Sequence, residues 1–169
     1  MRQYVLDVET NALRNYDKLW VAVFRNVKTK DVTVFRNVHE DVNPMRQFIA
    51  DEVDELIGHY FLTFDLQVLY HFGILDRNHT KKITDTLVIS RLLNFEQEGG
   101  HSLEAYGKHY GVEKNLFDDF SRYSQELEDR CITDTEINLW VYNKFLPWIK
   151  SPRWQGPIEL EHFTALLCH

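Results

Sequence analysis

The sequence predicts an α/β fold, a mixed β-sheet flanked by helices. Three observations predict it. Three segments rich in β-formers follow one another between Gln3 and Phe35, extended and helical patterns alternate from Pro44 to Leu93, and a strongly amphipathic helix comes late in the chain. With 169 residues, 44% of them hydrophobic and 14% aromatic, the chain suits one domain with a full apolar core. That composition excludes a disordered chain, which lacks apolar surface to bury.

The elements follow in order. Gln3 to Glu9 reads as a first strand, Leu19 to Phe24 as a second and Asp31 to Phe35 as a third, with the polar run Asn26 to Lys30 as a hairpin turn. A helix follows Pro44, with Met45, Phe48 and Ile49 at helical spacing. Leu56-Ile57 is a short apolar strand, and a helix begins near Asp65 with Leu66, Leu69 and Tyr70 facing inward. Lys82 to Thr84 gives another strand, leading into a helix from Thr86 to about Leu93. Gln97 to Gly100 reads as a loop and Ser102 as a helix start. Asp134 to Phe145 carries Ile137, Trp140, Val141 and Phe145 on one side of a helix. Pro147, Ser151-Pro152 and Gly156-Pro157 then mark a linker, which divides the chain into a domain at 1–150 and a tail at 151–169.

Several function classes recede on composition. No stretch reaches the roughly 18 apolar residues of a membrane span, so no membrane partner is expected. The first apolar run meets Asp7 at once, which leaves no signal-peptide core. Cys131 and Cys168 have neither zinc-ligand spacing nor the density of a disulfide scaffold, and a reducing, cytoplasmic location is expected. The eight histidines form no H-x-x-x-H pair with a third ligand in place. A net charge of −7 argues against a non-specific DNA coat. It does not argue against a carboxylate cluster that holds divalent cations, where the metal supplies the positive charge.

Asp7 and Glu9, two apart on a strand, project from one face. Taken alone, they are either solvated strand-end acids or a pair that shares a cation. Their context extends the pattern. Asp7 to Leu13, with Thr10, resembles the first exonuclease motif of proofreading polymerases; Gly58-His59 with Phe64-Asp65 and Leu69 resembles the second, and Asp134 the third. Asp85 to Leu92, His101 to Gly107 and Lys114 to Phe120 are similar to segments of family-A DNA polymerases of T-seven-like podoviruses. The resemblance runs in order from residue 3 to about 146.

It implies a ribonuclease-H-like sheet of the DnaQ-like exonuclease fold and a DEDD-type 3′–5′ exonuclease, acting on the 3′ end of single-stranded or mispaired DNA. It also implies a polymerase domain as partner, in the same chain or a separate one, and two Mg²⁺ ions for which Mn²⁺ substitutes. Carried over to this chain, Asp7 bridges both ions, Glu9 and Asp134 hold the ion that activates water, and Asp65 holds the second, through water. Thr10 and Leu13 match positions that hold the terminal nucleotide, and Leu13 reads equally as an ordinary core leucine. His101 comes near the site through its loop.

The pattern is broken at two places. The family's tyrosine branch has a tyrosine four residues before the last aspartate; here that residue is Arg130. Its histidine branch uses the position five before, here Asp129. Arg130 either pairs with Asp134 one turn on, binds the scissile phosphate, or is a solvated helix residue. Tyr123 and Tyr142 are the alternative hydroxyls. Tyr60 stands where the podoviral pattern has asparagine, which removes a contact near the substrate. Both changes point to reduced activity. The rival readings are a catalytically weakened DNA-binding or structural module and an RNA-trimming exoribonuclease of the same superfamily.

Asp118-Asp119, Glu126, Glu128 and Asp129 read as solvated acids, and His59 and His109 as structural. Pro157 to Leu167 is amphipathic, with Leu160, Phe163 and Leu167 on one stripe, and resembles the start of a polymerase thumb helix or a helix that docks on a partner.

Overall fold

The computed structural model describes residues 1–94, 96–113 and 115–168. Five strands, β1 (Gln3–Thr10), β2 (Leu19–Asn26), β3 (Val32–Arg36), β4 (Glu55–Gly58) and β5 (Lys82–Asp85), form one sheet in the order β3-β2-β1-β4-β5. The first three make an antiparallel meander, whereas β1–β4 and β4–β5 pair in parallel. Among the described residues six α-helices flank the sheet: α1 (Asn43–Glu52), α2 (Asp65–His71), α3 (Thr86–Leu93), α4 (Leu103–Tyr110), α5 (Gln125–Ile149) and α6 (Pro152–Leu167). This is the expected ribonuclease-H-like mixed sheet.

Strand β1 is central and covered on both faces. Leu6 and Val8 pack with Phe24, Leu56 and helices α1 and α2 on one side. On the other, Val5 meets Leu139 and Tyr142 of α5, while Val21 and Val23 of β2 meet Leu127 and Cys131. Period two along the strand therefore places Asp7 and Glu9 on the α5 side. Their register partners on β2 are Val23 and Val21. The pairing slips between Glu9 and Thr10, a bulge that re-aims the chain where it leaves the sheet.

The hairpin forms as expected, with the Asn26 side-chain oxygen accepting from the backbone of Lys28 (2.8 Å) and Thr29 (2.9 Å). At the start of α3, the Asp85 carboxylate accepts from Leu87 N at 2.9 Å as an N-cap. The same carboxylate accepts from Tyr60 N and Leu62 N, both at 3.0 Å, and so ties the loop after β4 to the end of β5.

Two expectations at the chain's end are corrected. Helix α5 begins at Gln125, nine residues before Asp134, because the Ser124 hydroxyl caps Leu127 N at 3.2 Å and Leu127 has a buried site to fill. The linker residues are largely helical. Pro147 lies inside α5, near its end, and Gly156-Pro157 lie inside α6, so the only break is at Lys150-Ser151. A proline inside a helix removes a single ladder bond, and neither helix ends there. Among the described residues, no helix is long and apolar enough to cross a membrane.

Helix α6 leans on the domain through one buried polar contact. His162 Nε2 accepts from Asp85 N at 2.8 Å, while its Nδ1 donates to Ile158 O at 2.8 Å. That pattern requires a neutral ring, and burial holds the imidazole below its usual pKa. A depressed histidine pKa contributes stability that is present above the unfolded value, about 6.5, and is lost as pH falls through the folded one. The protection factor of the Asp85 amide, its exchange relative to the intrinsic rate at each pH, should therefore fall as pH drops below about 6.5. In His162→Gln the protection factor of the same amide should lack that pH step.

Candidate active site

The sequence-predicted acids come from three elements. Asp7 and Glu9 are at the C-terminal end of β1, Asp65 opens α2, and Asp134 lies in the middle of α5. Asp65 is 3% exposed and accepts from Val8 N at 3.3 Å, which ties the helix start to the central strand. Glu9 and Asp134 are also buried. The structure brings the four together. Burial first, then the charges of Glu9, Asp134 and Asp65, push the Asp7 carboxyl well above its ordinary pKa. Burial, Glu9, Asp85 and Asp134 push Asp65 up likewise, opposed by the Val8 amide. Asp7 Oδ2 is buried with no hydrogen-bond partner among the described residues. A carboxylate oxygen buried beside other carboxylates is strained in this state and suits a cation.

The tightest group among the described residues contains a member the sequence did not single out. Ligand atoms of Asp7, Glu9 and Cys131 all lie within 4.8 Å of one another. Cys131 is fully buried, and its thiol donates to the Asp7 carbonyl at 3.2 Å. Burial and the neighbouring acids push its pKa well above the usual thiol value, so it stays protonated and acts as a donor and packing group. Its only sequence signal is its place one helical turn before Asp134, on the same face. The donor set facing inward is otherwise all carboxylate oxygen, the chemistry of a hard divalent ion.

Arg130 does not turn to Asp134. Its Nε lies 3.3 Å from Glu9 Oε1, an Nη donates to Phe117 O at 2.6 Å, and its guanidinium sits 5.2 Å from the centroid of the Phe120 ring. The solvated reading is excluded, since the side chain is only 19% exposed. Neither alternative tyrosine is available. The Tyr123 hydroxyl donates to Glu128 Oε1 at 2.8 Å, and Tyr142 OH accepts from Gln3 Nε2 at 2.9 Å, at the opposite end of β1. Glu128 itself is corrected from a solvated acid to a buried one, held by Arg36 at 2.5 and 3.0 Å.

The remaining site residues divide. Thr10 is buried and gives its hydroxyl to Ala12 O at 2.6 Å. Asn11 closes the following loop by accepting from Asp17 N and Lys18 N. That loop presents Leu13, 82% exposed, so Leu13 is not a core leucine. His101 is bound into a network: its carbonyl accepts from His59 Nε2 at 2.6 Å and its Nδ1 meets Ser90 Oγ, which also contacts Tyr106 OH. Lys114, in the last of the resembling segments, lies outside the described residues. Tyr60 is half exposed and adopts a left-handed backbone, φ 60°. Asparagine adopts that conformation at lower cost than tyrosine, which gives a backbone reason for asparagine at this place in the podoviral pattern.

The fold recurs among solved structures. A family B DNA polymerase from the hyperthermophilic archaeon Pyrobaculum calidifontis superposes with a TM-score of 0.64 and 16% identity, over 88% of this chain and 25% of its own. Brucella melitensis NrnC with bound Mg²⁺ gives 0.64 and 15%, over 98% of this chain and 84% of its own. Phi29 DNA polymerase complexed with single-stranded DNA gives 0.59 and 11%, over 98% of this chain and 35% of its own. The chain thus spans a quarter to a third of those polymerases and most of the nuclease. At these identities the likeness is one of fold. No protein-family model matches the chain, and no curated protein matches it by sequence.

Two substitutions probe the site's electrostatics and backbone. In metal-free buffer, Asp7→Asn should raise unfolding free energy by about 1–2 kcal/mol in urea titrations, because it removes a buried repulsive charge. Tyr60→Asn should raise it by about 0.5–1 kcal/mol by relieving the left-handed backbone.

Proposed function

We propose that the chain is a metal-dependent 3′–5′ exonuclease of the DEDD type, with Asp7, Glu9, Asp65 and Asp134 as its metal-holding acids. The observation that carries this reading is the convergence of those four acids where β1 leaves the sheet, with a buried Asp7 oxygen that has no hydrogen-bond donor among the described residues. The fold shared with NrnC and with polymerases supports it. The neighbour's bound Mg²⁺ and the all-oxygen donor set support a hard divalent ion.

Bound cations in such a site lower the pKa of water and neutralise charge that develops on a phosphodiester. The chain's own groups do the rest. Asp7 of β1 feels the charges of Glu9, Asp134 and Asp65, and would hold a cation together with them. Leu13, held out by the Asn11-closed loop, offers an apolar surface against which a terminal base can stack. Arg130, whose Nε meets Glu9, can offer its guanidinium to a non-bridging phosphate oxygen. In this reading the substrate is the 3′ end of single-stranded or mispaired DNA. The assignment to proofreading in a family-A polymerase rests on the resembling sequence segments alone.

A second reading, a weakened module, is favoured by one observation: the Arg130–Glu9 ion pair withdraws part of a metal-holding carboxylate. Incubation of 3′- and 5′-labelled single-stranded oligonucleotides with Mg²⁺ or Mn²⁺ tests both. Stepwise shortening from the 3′ end, lost at least about a thousandfold in Asp7→Ala, is expected. No degradation by the wild type, with either metal, would leave only the non-catalytic reading. Matched DNA and RNA strands decide the sugar preference, since the 2′-OH is their local difference.

A further inference from the structure

We infer that Arg130 stands in for one of two cations, so that the cluster takes up one divalent ion firmly rather than two. This rests on the metal-dependent reading above. The guanidinium is fixed from two directions. On the cluster side its Nε meets Glu9 Oε1 at 3.3 Å. On the far side an Nη donates to Phe117 O at 2.6 Å, and the face of Phe120 lies 5.2 Å away. The two far-side ties involve no acid of the cluster, so they hold the charge in place whether or not a metal is bound.

That position matters because arginine cannot shed its proton to make room for a metal. A cation arriving at the Glu9 side meets a resident positive charge and competes for an oxygen already engaged. In a buried site with little screening, that opposition is large. Among the described residues no cation is paired with the Asp65 carboxylate, although the charge of Glu9 reaches it: Asp65 is held by the Val8 amide, and Asp7 Oδ2 has no donor there. One ion therefore belongs with Asp7 and Asp65, while the guanidinium covers Glu9. The residue that replaces the family's tyrosine then changes the metal content of the centre and not only the placement of water. Cys131 does not compensate, since its thiol is committed to the Asp7 carbonyl.

Titration of the intact chain with Mn²⁺, followed by electron paramagnetic resonance of the free ion, counts bound metal independently of activity. One tightly bound ion per chain is expected in the wild type and in Arg130→Lys, which keeps the charge. Two are expected in Arg130→Gln, its second ion binding at least about tenfold more tightly than any second ion in the wild type. Two ions of equal affinity in the wild type, or a single ion in a folded Arg130→Gln, would overturn the inference while leaving the metal-dependent reading intact. Wild-type binding unchanged in Asp7→Ala would sink that reading and this one together. If Arg130→Gln does not fold, the wild-type count decides.

Discussion

Mutual repulsion among buried carboxylates is the constraint on which the rest of this molecule depends. Burial and the neighbouring acids drive Asp7 and Asp65 toward the protonated state, so placing these two in the cluster with Glu9 and Asp134 costs stability. The surrounding structure is what holds them there. The central strand is locked by apolar packing on both faces, α2 is tied to it through the Val8 amide, and α5 is pinned by Leu127 and Cys131 against β2. A fold that concentrates charge in this way has stored an electrostatic demand for a cation.

Arg130 answers part of that demand with a fixed charge. Its location also links the cluster to the segment before α5, because the same guanidinium binds Phe117 and Phe120. Phe120 in turn accepts from the indole of Trp20 at 2.9 Å, on β2. The acids, the segment before α5 and strand β2 are thereby connected by contacts.

Support for the site extends to the other end of the sheet. Asp85 is a carboxylate of a different kind: three backbone amides surround it, from Tyr60, Leu62 and Leu87, and it organises the turn after β4. The same residue offers its own amide to His162, which joins α6 to the domain. Through the Gly58–Leu62 loop that precedes Asp65, the α6 contact and the acid cluster share one scaffold.

Most of the architecture was legible in the residues themselves, because alternation along β1, the change from strand to helix near Thr86 and the stripe on α5 are local patterns set by backbone geometry. The acids at 7 and 9 were legible as a pair for the same reason, and those at 65 and 134 only through their resemblance to known motifs. Three features needed the fold. The start of α5 depends on a buried site for Leu127, the helices run on through Pro147 and Pro157 where breaker residues alone mark a linker, and the partner of Arg130 lies across the molecule on β1. Short-range periodicity and caps are written in neighbouring residues. The pairing of a guanidinium with Glu9, the burial of Cys131 and the exposure of Leu13 are decided by which surfaces the tertiary structure presses together, and no local pattern carries that information.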